Sequence, residues 1–142
     1  MRYHFKIHED DNGFWAECSE LEGCTTQADT IEQLEKNMSE ALNLYLSEPD
    51  DSKVIFPLPN EDYDTDDIYK VKVDPQVALS FLLRRYRLLH NLTQKQVAEK
   101  IGMKNLWSYQ KYEKPAYANP TLSMLAKFKE VFPDLNLDYI FS

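Results

Sequence analysis

Apolar and polar residues alternate along several short segments of the first half of the chain, which is the pattern of strands with one buried face. Segments 3–8 and 14–18 alternate on either side of DNG and predict an antiparallel hairpin. The Asn-Gly pair is expected to form its turn, because both residues accept positive φ. Three more strands are predicted at 23–28 (GCTTQA), 53–59 (KVIFPLP) and 68–73 (IYKVKV).

A different period separates the third strand from the fourth, because apolar residues there recur at intervals of three and four, as on one face of a helix. The stripe consists of Ile31, Leu34, Met38, Ala41, Leu42 and Tyr45. Thr30 and Gln33 predict a capping box at the start of this helix, and Pro49 is expected to end it. The order β-β-β-α-β-β predicts a small, mostly antiparallel sheet with the helix packed on one face.

The second half of the chain has only helical periods. Asp74 as an acceptor cap and Pro75 at the first helical position predict a helix start. The expected inward face of this helix consists of Ala78, Phe81, Leu82, Leu88 and Leu89. Three arginines are expected on the outer face of this helix, where they are either solvated or in contact with phosphates: Arg84, Arg85 and Arg87.

A pair of short helices with a tight turn is predicted next, in LTQKQVAEKIGMKNLWSYQKYE. Thr93 and Gln96 match a second capping box, and Gly102 is expected to end the first helix in the left-handed region. The second helix is predicted at about 105–113, with three residues facing inward: Leu106, Tyr109 and Tyr112. A further helix follows at 119–132, before Pro133, and a short last element follows it at 135–141.

The predicted fold class is therefore α+β, with two domains. Residues 1–74 form the small sheet with one packed helix, and residues 75–142 form an all-α domain of about five helices. The net charge of −8 hides an asymmetry between these halves. Residues 1–74 contain 6 basic and 19 acidic residues, a net charge of −13, whereas residues 75–142 contain 10 and 5, a net charge of +5. Opposite charges indicate two modules with different partners.

Targeting and redox features indicate the cytoplasm. No run of 18 apolar residues is present, so no membrane span or membrane partner is expected. The charged, alternating start is unlike a secretory signal. Cys18 and Cys24 have no nearby histidine and match no zinc spacing, so they are expected to be free, partly buried thiols. No catalytic residue, metal site or cofactor is expected.

The first half resembles the HicB antitoxin family. The resemblance rests on the opening hairpin and on the segment DNGFWAECSELEGCTTQADTIEQLEKNMSEALNLYL, in which seven residues match the family pattern: Glu22, Gly23, Cys24, Thr26, Ala28, Asp29 and Thr30. FPLPNED matches the Pro-rich segment of the family, and IYKVKV matches its last strand. The chain departs from the pattern at Ala28, where glycine is common. The resemblance covers residues 1–74 and implies a partial ribonuclease H-like fold.

The HicB resemblance also implies a partner, a small basic RNA-cleaving toxin of the HicA type whose catalytic histidine is covered in the complex. An acidic sheet surface with aromatic residues would suit a basic partner. The candidate toxin-binding residues are Asp10, Asp11, Phe14, Trp15, Glu17, Glu20 and Glu22. His4 and His8 are expected to be exposed on the polar face of the first strand. A two-metal nuclease site is the alternative for this half, but its carboxylates cluster in turns, so no enzymatic activity is expected.

The second half resembles the lambda-repressor-like, or Xre-type, helix-turn-helix family. The matching residues are Thr93, Gln94, Val97, Ala98, Ile101 and Gly102, then Tyr109, Tyr112 and Glu113, then Asn119, Pro120, Thr121 and Leu122. The distance from Gly102 to Tyr109 is one residue longer than usual in the family, which leaves the register of the base-reading residues open. The resemblance covers residues 76–142.

The helix-turn-helix resemblance implies binding of double-stranded operator DNA. The candidate DNA-binding residues are Thr93, Gln94, Lys104, Asn105, Ser108, Gln110 and Lys111. Trp107 has three readings: core packing, contact with a partner chain, or contact with a thymine methyl group. A helix-turn-helix used only for protein contact is the alternative for the whole domain.

Both resemblances together imply a type II antitoxin that inhibits a HicA-type toxin and represses its own operon. Because single domains of this type read short half-sites, a homodimer or higher homo-oligomer is expected. The alternative is a stand-alone transcriptional regulator whose first domain senses a small ligand or another protein.

Overall fold

The computed structural model describes residues 1–47 and 52–142, so the predicted helix stop at Pro49 lies outside the described residues. The chain divides into two compact units. The first unit comprises Met1–Leu46, Phe56–Val73 and Ser142, and the second comprises Ser47–Ile55 and Asp74–Phe141.

The first unit contains a four-stranded antiparallel sheet. Its strands are β1 (Arg2–Asp10), β2 (Gly13–Cys18), β3 (Thr25–Ala28) and β4 (Ile68–Lys72), in the spatial order β3-β2-β1-β4. The strand predicted at 53–59 was wrong, because no strand forms there. Pro57 and Pro59 lack the N–H that a ladder needs, and the carbonyl of Pro57 instead accepts a hydrogen bond from the Tyr3 hydroxyl at 2.7 Å.

The turn of the β1–β2 hairpin differs from the predicted Asn-Gly turn. Asp10 pairs with Gly13, so Asp11 and Asn12 are the turn residues, and the Asn12 N–H donates to Asp10 Oδ1 at 2.9 Å. Gly13 carries the positive φ, +124°, while Asn12 does not. A Cβ at Gly13 would lie 2.7 Å from the Ala28 carbonyl oxygen, so both the dihedral angle and the neighbouring strand require glycine.

Helix α1 (Ile31–Leu46) packs on one face of this sheet. The buried residues of the helix are Leu34, Met38, Leu42 and Leu46, and the sheet contributes Tyr3, Phe5, Ala16 and Val71 to the core. Thr30 Oγ1 accepts the Gln33 N–H at 3.2 Å, which is one of the two hydrogen bonds of the predicted capping box. The prediction for Ile31 was wrong, because its side chain is 38% exposed at the first position of the helix.

The two cysteines and the two histidines of the sheet have different environments. Cys18 and Cys24 are free and buried, as expected of reduced thiols. The hydrogen bond between the two thiols raises the pKa of Cys18 far above its usual range, and burial adds to the effect.

His8 is partly exposed, but the prediction that His4 is exposed was wrong, because His4 is fully buried.

The second unit is helical. Its elements are α2 (Pro75–Leu89), α3 (Gln94–Ile101), α4 (Trp107–Gln110), 3-10 turns at Lys111–Glu113 and Pro115–Tyr117, α5 (Leu122–Val131) and α6 (Asp138–Phe141). The core includes Phe81, Val97, Tyr109, Phe128 and Phe132. A sheet unit followed by this helical unit confirms the α+β class. Among residues 1–47 and 52–142, no helix combines the length and apolar character needed to cross a membrane.

Helix α2 departs from its predicted faces. Pro75 occupies the first turn, but Asp74 makes no side-chain cap hydrogen bond. Leu89 is 53% exposed rather than inward. The arginines were placed wrongly as well, since Arg84 and Arg87 are buried, while Arg85 is half-buried. A buried arginine requires a charged or polar partner, and for Arg87 that partner lies after α4.

Candidate functional site

Helix α3 has the predicted caps at both ends. Thr93 Oγ1 accepts the Gln96 N–H at 3.1 Å, and the Thr93 N–H donates to Gln96 Oε1 at 2.8 Å, which completes the capping box. Gly102 ends the helix with φ +88°, in the left-handed region. Ala98 is buried, and α3 contacts both α4 and α5. These local signals confirm the helix-turn geometry of the predicted motif.

The predicted recognition helix is shorter than expected. Residues Trp107–Gln110 are α-helical, and the chain tightens into a 3-10 turn at Lys111–Glu113. Tyr109 and Tyr112 are buried as predicted, whereas Leu106 is 41% exposed and was predicted wrongly. Asn105 lies two residues before the helix, and its Oδ1 accepts the Ser108 N–H and the Ser108 hydroxyl, each at 2.9 Å.

A buried ion pair fixes the recognition helix to α2. Arg87 Nε lies 2.7 Å from Glu113 Oε2, and Arg87 Nη2 lies 2.9 Å from Glu113 Oε1. The third nitrogen, Nη1, donates to the Leu92 carbonyl at 3.1 Å. Burial opposes the charge of Arg87, but Glu113 outweighs it and raises the pKa of Arg87 above its usual value. The two side chains are only 7% and 2% exposed, so this bidentate ion pair lies in the interior of the unit.

The Glu113 carboxylate also holds two other side chains. The Tyr109 hydroxyl donates to Glu113 Oε2 at 2.5 Å, and Gln94 Nε2 donates to Glu113 Oε1 at 3.2 Å. Burial, followed by the Glu113 charge, raises the pKa of Tyr109 well above its usual value. Gln110 Nε2 donates to Gln94 Oε1 at 3.1 Å. Gln94 therefore joins the start of α3 to the recognition helix through both ends of its amide.

The structure places the candidate DNA-binding residues in two environments. Thr93, Lys104 and Asn105 are exposed, while Gln94, Ser108, Gln110 and Lys111 are half-buried. Several polar atoms of the set already have partners: Thr93 caps α3, Asn105 bonds Ser108, and Gln94 bonds Gln110. The contact of each residue with DNA stays a prediction. Trp107 is 47% exposed, so the core reading of that side chain was wrong.

The candidate toxin-binding residues lie on and around the β1–β2 hairpin. Asp10, Asp11 and Glu22 are exposed, and Phe14, Trp15 and Glu17 are half-buried. The Trp15 ring stacks on the His8 ring with centroids 4.1 Å apart, and His8 Nε2 lies 3.1 Å from Glu17 Oε1. These contacts give Trp15 and Glu17 a fixed orientation on the sheet surface. Whether the group binds a partner stays a prediction.

The Glu20 side chain is buried and does not lie on the exposed surface where the sequence placed it. Its side chain is 1% exposed. Oε1 accepts the His4 backbone N–H at 3.0 Å, and Oε2 accepts the Asn60 N–H at 3.1 Å. Oε2 also lies 2.7 Å from His4 Nδ1. Glu20 therefore links β1 to the turn at residues 60–63, and its charge is satisfied inside the unit.

Sequence reasoning missed the two buried ion-pair partners because both carry charge types that default to the surface. Glu113 appeared only as a motif residue, and Arg87 only as one of three arginines. A weak signal was present for Arg87, since it falls four residues after Leu83, an apolar position of α2. For His4 the alternation gave no signal, because its burial depends on the turn at residues 60–63 and on Glu20.

Comparison with known families agrees with the geometry of the helical unit. Residues 83–140 match a protein-family model described as helix-turn-helix. The match confirms the predicted C-terminal helix-turn-helix domain and supports binding of double-stranded DNA and transcription regulation. No curated protein matches the chain.

Proposed function

We propose that the chain is a HicB-type antitoxin. It binds and inhibits a basic, RNA-cleaving toxin of the HicA type through residues 1–74, and it represses its own operon through residues 75–142, without catalytic activity of its own. One observation carries the proposal: a helix-turn-helix domain at residues 83–140 follows a sheet module of net charge −13 that bears the HicB-like motif. A module so acidic is unsuited to DNA and suited to a basic protein.

The surface around the hairpin supports a basic protein partner. The carboxylates of Asp10, Asp11 and Glu22 are exposed, and the half-buried Trp15 ring stacks on His8. Carboxylates around an aromatic anchor combine long-range attraction with a desolvated contact. The acidic face would take the place of RNA phosphates on the toxin.

The DNA-binding role supports self-association. A single helix-turn-helix reads one short half-site, and dimers place two recognition helices about 34 Å apart along the duplex. We therefore propose a homodimer or higher oligomer as the repressor. Sedimentation of the free protein and of its complex with the duplex upstream of its own coding sequence tests this stoichiometry.

The antitoxin role is tested first by a search for a small open reading frame beside the gene, and then by co-expression of this chain with the basic protein that the frame encodes. The expected result is a complex that co-purifies and in which RNA cleavage by the partner is lost. The double variant Asp10→Asn with Asp11→Asn should slow association about tenfold at low salt, because charge steering acts on the association rate. A matched control carries Glu99→Gln and Glu130→Gln, two exposed carboxylates of the helical unit. The proposal is wrong if the neighbouring protein neither binds nor cleaves RNA.

A second candidate function rests on an open cleft of about 1100 Å³ beside β3 and α1. Polar side chains line much of it, including Asn12, Gln27, Gln33 and Asn37. Polar side chains in an open cleft could hydrogen-bond a small polar ligand, and the chain would then be a stand-alone regulator that senses it. A metabolite that raises the melting temperature of the chain and changes its affinity for DNA, with no binding of the neighbouring protein, would favour this second function.

A further inference from the structure

Two large aromatic side chains lie exposed next to the recognition helix. Trp107, the first residue of α4, is 47% exposed, and Tyr117, in the 3-10 turn after it, is 54% exposed. The two rings meet edge to face, with centroids 5.5 Å apart and planes at 75°. This arrangement gives the pair a defined shape, and its exposed area is not used by the helical core.

The chain segment that carries the pair is basic. Between Met103 and Tyr117 the sequence holds three lysines and one carboxylate, Glu113. Glu113 is buried and paired with Arg87, so it does not offset the lysines at the surface. Lys114 Nζ lies 6.0 Å from the centroid of the Trp107 ring, and Lys111 Nζ lies 5.1 Å from that of Tyr112. The Lys114 ammonium group therefore lies beside the exposed pair.

We infer that the Trp107–Tyr117 pair is a DNA-contacting surface, which packs on deoxyribose and thymine methyl groups beside the segment that the recognition helix reads. Phosphates would meet the lysines while the rings contact the apolar parts of the same strand. A twofold contact of this surface with the same surface of a second copy would bring the same lysines together, which favours DNA over that contact. The inference rests on the DNA binding proposed above and adds a specific contact surface to it.

The chain has two tryptophans, so Trp15→Phe leaves Trp107 as the single reporter of the helical unit. The probe is the duplex immediately upstream of the coding sequence, with an unrelated duplex of equal length for comparison. The expected result is a change in Trp107 emission that saturates with the bound fraction measured by gel shift. Binding without any change in Trp107 emission would overturn the inference, whereas no binding by the unmodified chain would overturn the proposed function instead.

Truncation variants measure the contribution of the pair. Trp107→Ala and Tyr117→Ala should each raise the Kd for the duplex about fivefold to tenfold. A loss of this size is typical when an aromatic residue at an interface is replaced by alanine. Trp107→Phe should restore part of the affinity. The dependence of affinity on salt should keep its slope, because an apolar contact releases no counterions. Leu44→Ala is the matched control, since Leu44 is a 76% exposed apolar residue of the sheet unit.

Self-association is the rival use of the same surface, and sedimentation without DNA separates the two. Trp107→Ala should leave the oligomeric state of the free protein unchanged. A variant that dissociates in the absence of DNA, or Trp107 emission that depends on protein concentration, would assign the pair to a protein interface and overturn the inference. Unchanged affinity in both alanine variants would overturn it as well.

Discussion

Arg87 and Glu113 form a bidentate ion pair, with N–O distances of 2.7 and 2.9 Å, inside the helical unit. The pair joins α2 to the 3-10 turn that ends the recognition segment, 26 residues later in the chain. Helix α4 is only one turn long, which is too short to be stable by itself in water. Its position therefore depends on Tyr109 in the core and on this ion pair.

Removing one partner of the ion pair should destabilise the helical unit strongly. Arg87→Met leaves the Glu113 carboxylate buried without its main partner, and we expect a loss on the order of 3 kcal/mol in the free energy of unfolding. The double variant Arg87→Met with Glu113→Leu should recover part of that loss, because no charge then remains buried while the Tyr109 hydroxyl loses its acceptor. Urea unfolding measures both, with the exposed Lys95→Met as control. Equal stability of Arg87→Met and the control would contradict the prediction.

The Tyr109 hydroxyl should ionise at a higher pH than a tyrosine hydroxyl in the unfolded chain. Burial and the Glu113 charge favour the neutral phenol, so the pKa of Tyr109 lies well above the ordinary value of about 10. A raised pKa of an acid stabilises the folded state fully at pH values below the unfolded pKa, and this contribution is lost as pH rises through the folded pKa. A ring-labelled tyrosine resonance followed by NMR, assigned by Tyr109→Phe, should stay unshifted where the urea-unfolded protein titrates.

Glu20 should contribute to stability and not to partner binding. Glu20→Ala leaves the buried N–H of His4 and the N–H of Asn60 without their acceptor, at a cost of about 1–3 kcal/mol for an unsatisfied buried group. Hydrogen exchange at Asn60 should rise with it. Glu22→Ala, in an exposed position two residues on, serves as control. A Glu20 variant of normal stability that fails to bind the neighbouring protein would contradict the prediction and show that Glu20 contacts the partner.

The features that sequence patterns predicted correctly are local ones. The capping box of Thr93 and Gln96, the left-handed Gly102 and the stripe of α1 each depend on residues within a few positions of one another. Alternation likewise located β1, β2, β3 and β4. KVIFPLP alternates as a strand does, but its two prolines lack the N–H groups that strand pairing needs, and no strand forms there.

The features that sequence patterns missed depend on contacts between distant segments. His4 occupies a polar position of β1, yet the Glu20 carboxylate and the turn at residues 60–63 bury it. Arg87 is buried because Glu113 reaches it from 26 residues away. The register of α4 was open because of the extra residue before Tyr109. Burial of Tyr109 and Tyr112 fixes that register, and leaves Ser108, Gln110 and Lys111 at the partly exposed positions.

Gln110 and Lys111 should have separable effects on DNA binding. Lys111→Ala removes a charge that can meet a phosphate, so it should weaken binding to all duplexes alike and reduce the salt slope by about 1. Gln110→Ala keeps the charge but removes an amide that Gln94 holds at 3.1 Å, so it should relax base preference at one position and leave the salt slope unchanged.

Fluorescence anisotropy across a salt series, on the upstream duplex and on single-base variants of it, measures both effects. Lys95→Ala is the control, since it removes an exposed lysine of α3 that is outside the candidate set. If Gln110→Ala and Lys111→Ala bind the upstream duplex as tightly as the unmodified chain, α4 is not the reading element. If Gln94→Ala reproduces the effect of Gln110→Ala, the hydrogen bond between the two amides positions the reading side chain.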